Sequence, residues 1–276
     1  MQKRDSLRLL GCQVAIPDAV CASDRDRHVA SVCERISNYL ADNAPVDLIV
    51  LPELCTITYS REAFEMLDNL AEPLDGPSVM RFSELARAES AMVVFGMACR
   101  TDTGFRISQV ILSETGEVTA CYDKMHLCQY GASCEKEFFE RGEQMAVVDL
   151  KGWKIAPLIC YDIRIPEMSR ALVLEHNVDL LLHCGAYFRD ESFATWHNFA
   201  TTRAMENQVY LLSLNRAGKN FGNSLFCFPW MDETHPAVAF AEHAEQFRLL
   251  ELDPNLPEDT RSMYTFLKDR RTQYSL

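Results

Sequence analysis

The sequence is poor in basic residues. It also lacks long apolar runs and the closely spaced cysteine pairs that bind zinc. Lys and Arg total 27 against 40 Asp and Glu, which gives a net charge of −13. An acidic chain of this kind is repelled by nucleic acid and by anionic membranes, so we expect neither as a partner. No stretch reaches the roughly 18 apolar residues that a membrane-spanning helix needs. No C-x-x-C pair occurs, so we expect no structural zinc.

Cysteine itself is abundant, since eleven are scattered through apolar stretches without regular spacing. Residues 7–16 look like a strand and include Arg8 and Gln13, unlike the uncharged core of a secretion signal. We therefore expect a cytoplasmic protein in which most of the cysteines are reduced and buried.

Apolar periodicity predicts strands that alternate with helices along the whole chain. The predicted strands are 7–16, 47–51, 92–98, 105–112, 118–122, 146–150, 153–159, 179–183, 209–215, 224–228 and 247–252. The predicted helices are one that Ser23 and Asp24 cap and that ends near Asn43, then 62–70, one from Ser78, 166–176 and 196–207.

No repeat or linker divides the chain, so residues 1–276 are predicted to form one α/β domain. Hairpins mixed with crossovers predict mixed sheets with helices outside. Residues 123–144 are predicted to form a long loop, of a kind that is usually either functional or disordered. The tail, residues 254–276, is too apolar for a simple linker.

Three reactive side chains come directly after predicted strands: Glu53, Lys124 and Cys160. Sites in α/β folds assemble where strands end. A thiol, a carboxylate and an ammonium would suit attack on an amide or nitrile carbon, with Cys160 as nucleophile and Glu53 as general base. Lys124 would stabilise the negative oxygen of the intermediate. The alternatives are a packed cysteine, a loop acid and a lysine paired with Asp123.

The turn after Cys160 has the features of a nucleophile turn. Pro166 suits the first turn of a following helix. The helix dipole would favour the thiolate of Cys160, and the backbone N–H of Tyr161 would face the oxyanion.

The motifs around these residues resemble the three signature blocks of the nitrilase (carbon–nitrogen hydrolase) superfamily. They are LPE at 51–53, YDKMHL at 122–127 and LICYDIRIPE at 158–167, with further likeness in RAMENQ at 203–208 and GNS at 222–224. The resemblance implies an αββα sandwich of four layers, paired into dimers or higher homo-oligomers, with Glu53, Lys124 and Cys160 catalytic. We expect the tail, residues 254–276, to pack at the dimer interface.

The resemblance also implies a second acid. The stretch EKEFFERG at 135–142 matches the family's pattern and points to Glu135 as the supporting residue. The alternative is a solvated loop charge, because Glu137 and Glu140 stand beside it. Arg141 departs from the family's usual proline.

The region after strand 179–183 departs from the family's Asn-Trp-Pro-like run, since it is CGAYF at 184–188. This region lines the substrate pocket in the family, so Tyr187 and Phe188, together with Tyr161, are predicted to contact the substrate. Arg164 or Arg189 could hold a substrate carboxylate, or could form ion pairs with Glu167 and Asp190.

Four further residues near the motifs are expected to be structural. The resemblance implies this for His126, and His183 is predicted to be a hydrogen-bonded core histidine. Cys128 and Cys134 are expected to be packing residues; the alternative is that they are oxidisable neighbours of Cys160.

The resemblance implies an amidase that hydrolyses a small linear carboxamide to acid and ammonia through a thioester, without cofactor or metal. An N-carbamoyl amidohydrolase, which would also release carbon dioxide, is the nearest rival. Two functions of a different class would also fit the chain: a non-catalytic binding protein on the same fold and a thiol redox sensor.

Overall fold

The computed structural model describes residues 4–271 and 273. The strands are β1 (Leu7–Gln13), β2 (Leu48–Val50), β3 (Met92–Arg100), β4 (Phe105–Leu112), β5 (Val118–Asp123), β6 (Val148–Leu150), β7 (Trp153–Ile159), β8 (Leu180–Cys184), β9 (Tyr210–Leu214), β10 (Leu225–Cys227), β11 (Val238–Ala239) and β12 (Gln246–Leu252). The helices are α1 (Ala22–Ala41), α2 (Arg61–Glu65), α3 (Leu67–Leu70), α4 (Pro77–Glu89), α5 (Pro166–His176), α6 (Phe193–Asn207), α7 (Leu256–Met263) and α8 (Phe266–Asp269).

The strands form two six-stranded mixed sheets. The first has the order β12-β1-β2-β3-β4-β5 and the second β11-β10-β9-β8-β7-β6. In each sheet three central strands run parallel, β1 to β3 and β7 to β9, and the flanking strands are antiparallel. The carboxyl ends of parallel strands therefore share one edge in each sheet, which is where α/β sites assemble.

The first sheet is buried on both faces, and its residues alternate between two cores. Leu48 and Val50 of β2 pack into the space between the two sheets. Ile49, in the same strand, and Leu51, which follows it, point the other way and pack against α1 and α4. A continuous apolar run is what a strand covered on both faces requires.

The second sheet repeats the arrangement. Leu180 and Leu182 of β8 face the first sheet, whereas Leu181 faces α5 and α6. Three apolar layers thus separate four layers of secondary structure, and the predicted αββα sandwich with mixed sheets is confirmed.

The predicted elements are present, with three corrections. Helix α1 begins after Cys21 without a side-chain cap, because the carboxylate of Asp24 accepts from the N–H of Val20 instead of capping the helix. The predicted helix 62–70 is divided at Met66, which ends α2 and precedes α3. The short strand β11 was not predicted, since two residues carry no periodicity.

The described part of the predicted tail forms α7 and α8, and residues 272 and 274–276 of it lie outside the described residues. Met263 and Phe266 are exposed, and Tyr264 stacks on Trp230 with ring centroids 3.9 Å apart. Across the described residues, we find no helix with the length and apolar character of a membrane span.

Candidate active site

Glu53, Lys124 and Cys160 follow β2, β5 and β7, as the sequence predicts. Strand β5 is antiparallel to β4, which is antiparallel to β3, so β5 ends at the same edge as β2. The packing of the two sheets then brings Cys160, at the end of β7, to this edge. The side chains of Glu53 and Lys124 are fully buried, and Cys160 is 9% exposed at the base of a cleft.

The ammonium of Lys124 lies between two carboxylates. Its Nζ is 2.7 Å from Oε1 of Glu53 and 2.6 Å from Oε1 of Glu135. Glu135 is fully buried and also accepts from the hydroxyl of Tyr59 at 2.6 Å and from the N–H of Cys128 at 2.8 Å. Glu135 is therefore part of the site and not a solvated loop charge.

The two neighbouring acids, unlike Glu135, lie at the surface. Glu137 is exposed and pairs with Arg61, and Glu140 is exposed and accepts from Thr103. The motif resemblance pointed to Glu135, and burial separates this residue from its two exposed neighbours.

Burial and charge control protonation in this cluster. Burial acts to lower the pKa of Lys124, but the carboxylates of Glu135 and Glu53 raise it well above its usual value, so the lysine stays charged. Burial raises the pKa of Glu53, against the lowering by Lys124. A carboxylate with a raised pKa is a stronger base, which suits proton abstraction.

Cys160 is a neutral thiol in the resting site. Burial and the nearby carboxylate of Glu53 raise the pKa of its thiol well above the usual value, and Lys124 only partly offsets them. The helix dipole, which the sequence predicts to favour the thiolate, is outweighed here, because loss of water around the buried sulfur disfavours its charged form more strongly. The thiol therefore needs a base to be activated.

The loop that carries Glu53 is fixed on both sides. Oε2 of Glu53 accepts from the N–H of Ala186 at 2.8 Å. Below it, a Cβ on Gly96 would lie 2.5 Å from the N atom of Leu54 and from the O atom of Pro52, so β3 must have glycine there.

The guanidinium of Arg216 holds the same loop from the other side. Its Nη2 donates to the carbonyls of Glu53, Leu54 and Ile57 at 3.2, 2.6 and 2.8 Å. Arg216 is 1% exposed, and burial lowers its pKa to about 10. Sequence reasoning missed Arg216 and Tyr59; their only signal was a charged or polar side chain within or beside an apolar stretch.

The turn after β7 is held by Asp162. Its carboxylate accepts from the N–H of Ile159 at 3.0 Å, from the hydroxyl of Tyr122 at 2.6 Å and from the N–H of His126 at 3.0 Å. The ring Nδ1 of His126 also contacts this carboxylate at 2.7 Å, which supports the structural role expected of His126. Within this turn Cys160 has a φ of 45°, the left-handed region that is costly for a residue with a side chain.

The carbonyl oxygen of Cys160 has two side-chain partners. The hydroxyl of Tyr187 lies 2.8 Å from it and Nε2 of His183 lies 3.0 Å from it. His183 is fully buried, and its Nδ1 is 2.7 Å from Oγ of Ser213, so it is the hydrogen-bonded core histidine that the sequence predicts.

The predicted substrate residues line the cleft above Cys160. Tyr161, Arg164, Tyr187 and Phe188 all border it, around a cavity of about 30 Å³. The cleft is therefore narrow, which suits a slender, linear substrate.

Arg164 is the cation available to the cleft. Its Nε and Nη2 atoms are buried and have no hydrogen-bond partner within the described residues. Its Cζ lies 4.8 Å from the ring centroid of Phe199 and 5.6 Å from that of Tyr130. The guanidinium is thus held between aromatic rings with donors to spare.

Arg189 is occupied elsewhere. Its Nε donates to the carbonyl of Phe221 at 3.1 Å, its Nη2 donates to that of Glu242 at 3.0 Å, and Nη1 is 3.4 Å from the Glu242 carboxylate. The expected alternative, a pair with Asp190, is replaced by this contact with Glu242.

The cysteines are free thiols, and nine of the eleven are buried, which confirms the predicted burial of most of them. Cys128 borders the cleft, whereas Cys134 is buried in the neighbouring apolar cluster. The described residues contain no group of three or more His, Cys, Asp or Glu side chains arranged to hold a metal ion.

Comparison with known proteins identifies the family. The carbon–nitrogen hydrolase family model matches residues 12–246, which include all three motifs. The chain belongs to the carbon–nitrogen hydrolase family. The predicted nitrilase-superfamily membership is thereby confirmed.

Named relatives of this hydrolase agree with that assignment. It is 30% identical to the "Hydrolase in pqqF 5'region" of Pseudomonas protegens, over 90% of this chain and 86% of the relative. It is 32% identical to "Omega-amidase YafV" of Escherichia coli K12, over 63% of each chain. The crystal structure of Saccharomyces cerevisiae Nit3, described as a member of branch 10 of the nitrilase superfamily, has the same fold, with a TM-score of 0.82, 22% identity and 98% coverage of both chains.

Proposed function

We propose that this hydrolase cleaves the C–N bond of a small linear carboxamide and releases acid and ammonia. One observation carries the proposal: a buried, charged Lys124 lies between the carboxylates of Glu53 and Glu135, beside a protonated thiol at the base of a cleft. Burying three charges together is costly to desolvate, and their position beside the thiol gives the cluster a chemical use.

The first half of the reaction forms a thioester. Glu53 takes the proton of the Cys160 thiol, and the sulfur attacks the amide carbon. The developing oxyanion is stabilised by the ammonium of Lys124 and the N–H of Tyr161. Glu53 then gives its proton to the leaving nitrogen, and ammonia departs.

The second half returns the enzyme to its starting state. Glu53 takes a proton from a water molecule, which attacks the thioester carbon, and the proton passes to the sulfur as the acid leaves. Glu135 touches no reacting atom in this scheme. It fixes Lys124 through the 2.6 Å contact and keeps the lysine charged.

We also propose that the substrate carries a carboxylate at the end remote from the amide, held by Arg164. The support is the pair of unpartnered buried donors on its guanidinium, in a form suited to bidentate carboxylate binding. Tyr161, Tyr187 and Phe188 would border the short chain between the two ends. The relative named an omega-amidase in Escherichia coli agrees with such a substrate class.

Ammonia release tests the reaction directly. A panel should contain monoamides of short dicarboxylic acids, matched amides that end in a methyl group, N-carbamoyl amino acids and short nitriles, with carbon dioxide followed in parallel. We expect ammonia alone, fastest from the dicarboxylic monoamides. Carbon dioxide with ammonia would assign the carbamoyl reaction instead, and turnover that survives Cys160→Ala would refute the mechanism.

The carboxylate subsite has its own test. Arg164→Met should raise KM for a dicarboxylic monoamide by about 10- to 100-fold, the loss of a hydrogen bond to a charged group, and leave KM for the methyl-ended amide within about twofold. Arg189→Met is the matched control, because Arg189 is engaged by Phe221 and Glu242. Equal losses for both amides would contradict the subsite.

We propose further that residues 1–276 act as one domain in the cytoplasm, where the eleven thiols stay reduced. The exposed Met263 and Phe266 of the C-terminal segment support a dimer in which residues 254–276 lie at the interface. Sedimentation of the full chain and of Met263→Glu tests this, and a monomeric wild-type chain would refute it.

A further inference from the structure

The run CGAYF at 184–188 departs from the family's usual residues, and the contacts of its tyrosine suggest why. Tyr187 borders the cleft, yet its hydroxyl contacts the main chain of Cys160, 2.8 Å from the carbonyl oxygen. Its ring stacks on Trp196 with centroids 4.5 Å apart and planes 7° apart. The hydroxyl is thus held in place and directed at the peptide group that follows the nucleophile.

The direction of each hydrogen bond around this carbonyl can be assigned. A carbonyl only accepts, so both Tyr187 and Nε2 of His183 must donate to it. Nδ1 of His183 then has a lone pair and accepts from the hydroxyl of Ser213 at 2.7 Å. The indole N–H of Trp196 donates to the same Ser213 oxygen at 2.7 Å, which leaves the serine proton free for the histidine.

The chain of donors therefore runs from Trp196 through Ser213 and His183 to the carbonyl of Cys160. It requires a neutral imidazole with its proton on Nε2. Burial lowers the pKa of His183 to about 4, so the ring carries no second proton near neutral pH. The arrangement has one direction because the indole at one end can only donate and the carbonyl at the other can only accept.

The peptide group that receives these bonds is the one that supplies the proposed oxyanion donor. Its carbonyl belongs to Cys160, and its N–H belongs to Tyr161. Since a peptide group is planar, fixing the oxygen fixes the direction of the N–H. Hydrogen bonds accepted by a carbonyl also polarise the amide and strengthen its N–H as a donor.

We propose that His183 and Tyr187 are positioning residues that orient and polarise the N–H of Tyr161 toward the oxyanion, by donating two hydrogen bonds to the carbonyl of Cys160. The inference rests on the proposed function, because it assigns a task to that N–H. It gives Tyr187 a role in the rate of the chemical step, separate from contact with the substrate.

The substitution that tests this best is Tyr187→Phe, which removes one hydroxyl and keeps the stacking on Trp196. Losing one of two polarising bonds should lower kcat by about 3- to 10-fold and leave KM within about twofold. Alkylation of Cys160 by iodoacetamide should stay within about twofold, because that displacement forms no oxyanion. A rise in KM at constant kcat, or alkylation that slows in parallel with kcat, would overturn the proposal.

His183 offers a rescue test. His183→Gln keeps an N–H where Nε2 stands, so its kcat should stay within about threefold of the parent enzyme, whereas His183→Leu should lose about 10-fold or more. Tyr210→Phe is the matched control, since its hydroxyl also donates to a main-chain carbonyl, that of Asp253 at 3.1 Å, and its ring stacks on Phe226. A glutamine variant no better than leucine, at equal thermal stability, would contradict the role of the N–H.

A spectroscopic measurement needs no substrate. The sequence has two Cys–Tyr peptide bonds, at 121–122 and 160–161, so labelling with carbonyl-13C cysteine and 15N tyrosine gives two amide signals. Cys160→Ala identifies one, and the other is an internal reference. Tyr187→Phe should move the carbon, nitrogen and proton shifts of the 160–161 signal upfield and leave the 121–122 signal in place.

The two measurements separate the proposals. If the enzyme releases no ammonia from any amide, the proposed function fails, and the labelled spectra still report whether the two bonds polarise this peptide. If amides are hydrolysed but the 160–161 signal does not move in Tyr187→Phe, only the positioning role of Tyr187 and His183 is overturned.

Discussion

Replacement of Glu135 by glutamine changes the charge of the site and almost nothing else. The carboxylate accepts three hydrogen bonds, from Lys124, from the hydroxyl of Tyr59 and from the N–H of Cys128. An amide of the same shape has one accepting oxygen and one donating nitrogen. The nitrogen must therefore face at least one of these donors, and Lys124 keeps only Glu53 as a charged partner.

The size of the effect follows from these contacts. The variant loses a charge-assisted hydrogen bond and leaves one donor facing another, which together should lower the free energy of unfolding by about 2 kcal/mol. For a chain of this size, that corresponds to a fall of roughly 4–6 °C in Tm. Displacement of Lys124 should lower kcat by about 10- to 100-fold, because misplacement by about 1 Å costs that much.

The pH profile of kcat/KM should shift in a direction that a general loss of structure would not produce. Glu135 is one of the groups that raise the pKa of Glu53. When its charge is removed, the pKa of Glu53 falls, so the acid limb of kcat/KM moves to lower pH. Stopped assays of ammonia release between pH 4 and pH 9, alongside thermal unfolding, measure both quantities.

Glu137→Gln is the matched control. Glu137 is two residues away, exposed and paired with Arg61, and such surface pairs contribute about 0–1 kcal/mol. We expect its kcat, Tm and pH profile to stay near those of the parent enzyme. The reasoning is refuted if Glu135→Gln keeps kcat within about twofold, or if its acid limb moves to higher pH.

Three other predictions concern the same site. Gly96→Ala should cost about 2 kcal/mol and most of the activity, because the added Cβ would meet the loop of Glu53 at 2.5 Å, whereas Gly104→Ala, which meets only the end of a flexible side chain, should be mild; thermal unfolding and kcat compare them. In the parent enzyme the acid limb of kcat/KM should have an apparent pKa above the usual 4.5 of glutamate, because burial raises the pKa of Glu53 and the base must be ionised; a limb below 4.5 would contradict this assignment. Arg216→Lys should lower kcat about 10-fold or more with little change in KM, since the shorter lysine side chain ends one bond before the Nη2 atom that contacts all three carbonyls; an unchanged kcat would show that the loop keeps its conformation without these bonds.

The strands and the three motif residues could be predicted because their signals are local. Each buried strand is a short apolar run, and Glu53, Lys124 and Cys160 each come directly after one. The apolar runs alone predict mixed sheets with helices outside, and the four-layer sandwich came from the resemblance to the nitrilase superfamily. The cap of α1 could not be located, because Ser23 and Asp24 offer two equally good polar starts and the helix begins before both.

How strongly burial opposes the helix dipole at Cys160 could not be predicted from the sequence, for a different reason. The helix that follows the turn favours a thiolate, and nothing near Cys160 in the chain opposes it. The opposing terms are burial and the carboxylate of Glu53, which is more than a hundred residues away. A pKa is set by the full surroundings of a group, and only the folded chain brings these together.

The backbone conformation at the site could not be predicted from the sequence either, because the residues with left-handed φ angles there are not glycines. Leu54 has a φ of 47° and Cys160 a φ of 45°, each costing about 1–3 kcal/mol if nothing else held them. Both residues have their own carbonyl bonded by buried side chains from distant segments: Arg216 for Leu54, and His183 with Tyr187 for Cys160.

Glycine at either position would relieve the strain but would also free the turn to move, and both turns set the direction of a functional group. At the first turn that group is the carboxylate of Glu53, and at the second it is the thiol of Cys160 with the N–H of Tyr161. A strained residue held by a remote donor has one conformation available, so the base and the nucleophile keep their mutual geometry through the reaction cycle. The anchoring side chains are therefore as necessary to the chemistry as the motif residues, although no pattern within the motifs identifies them.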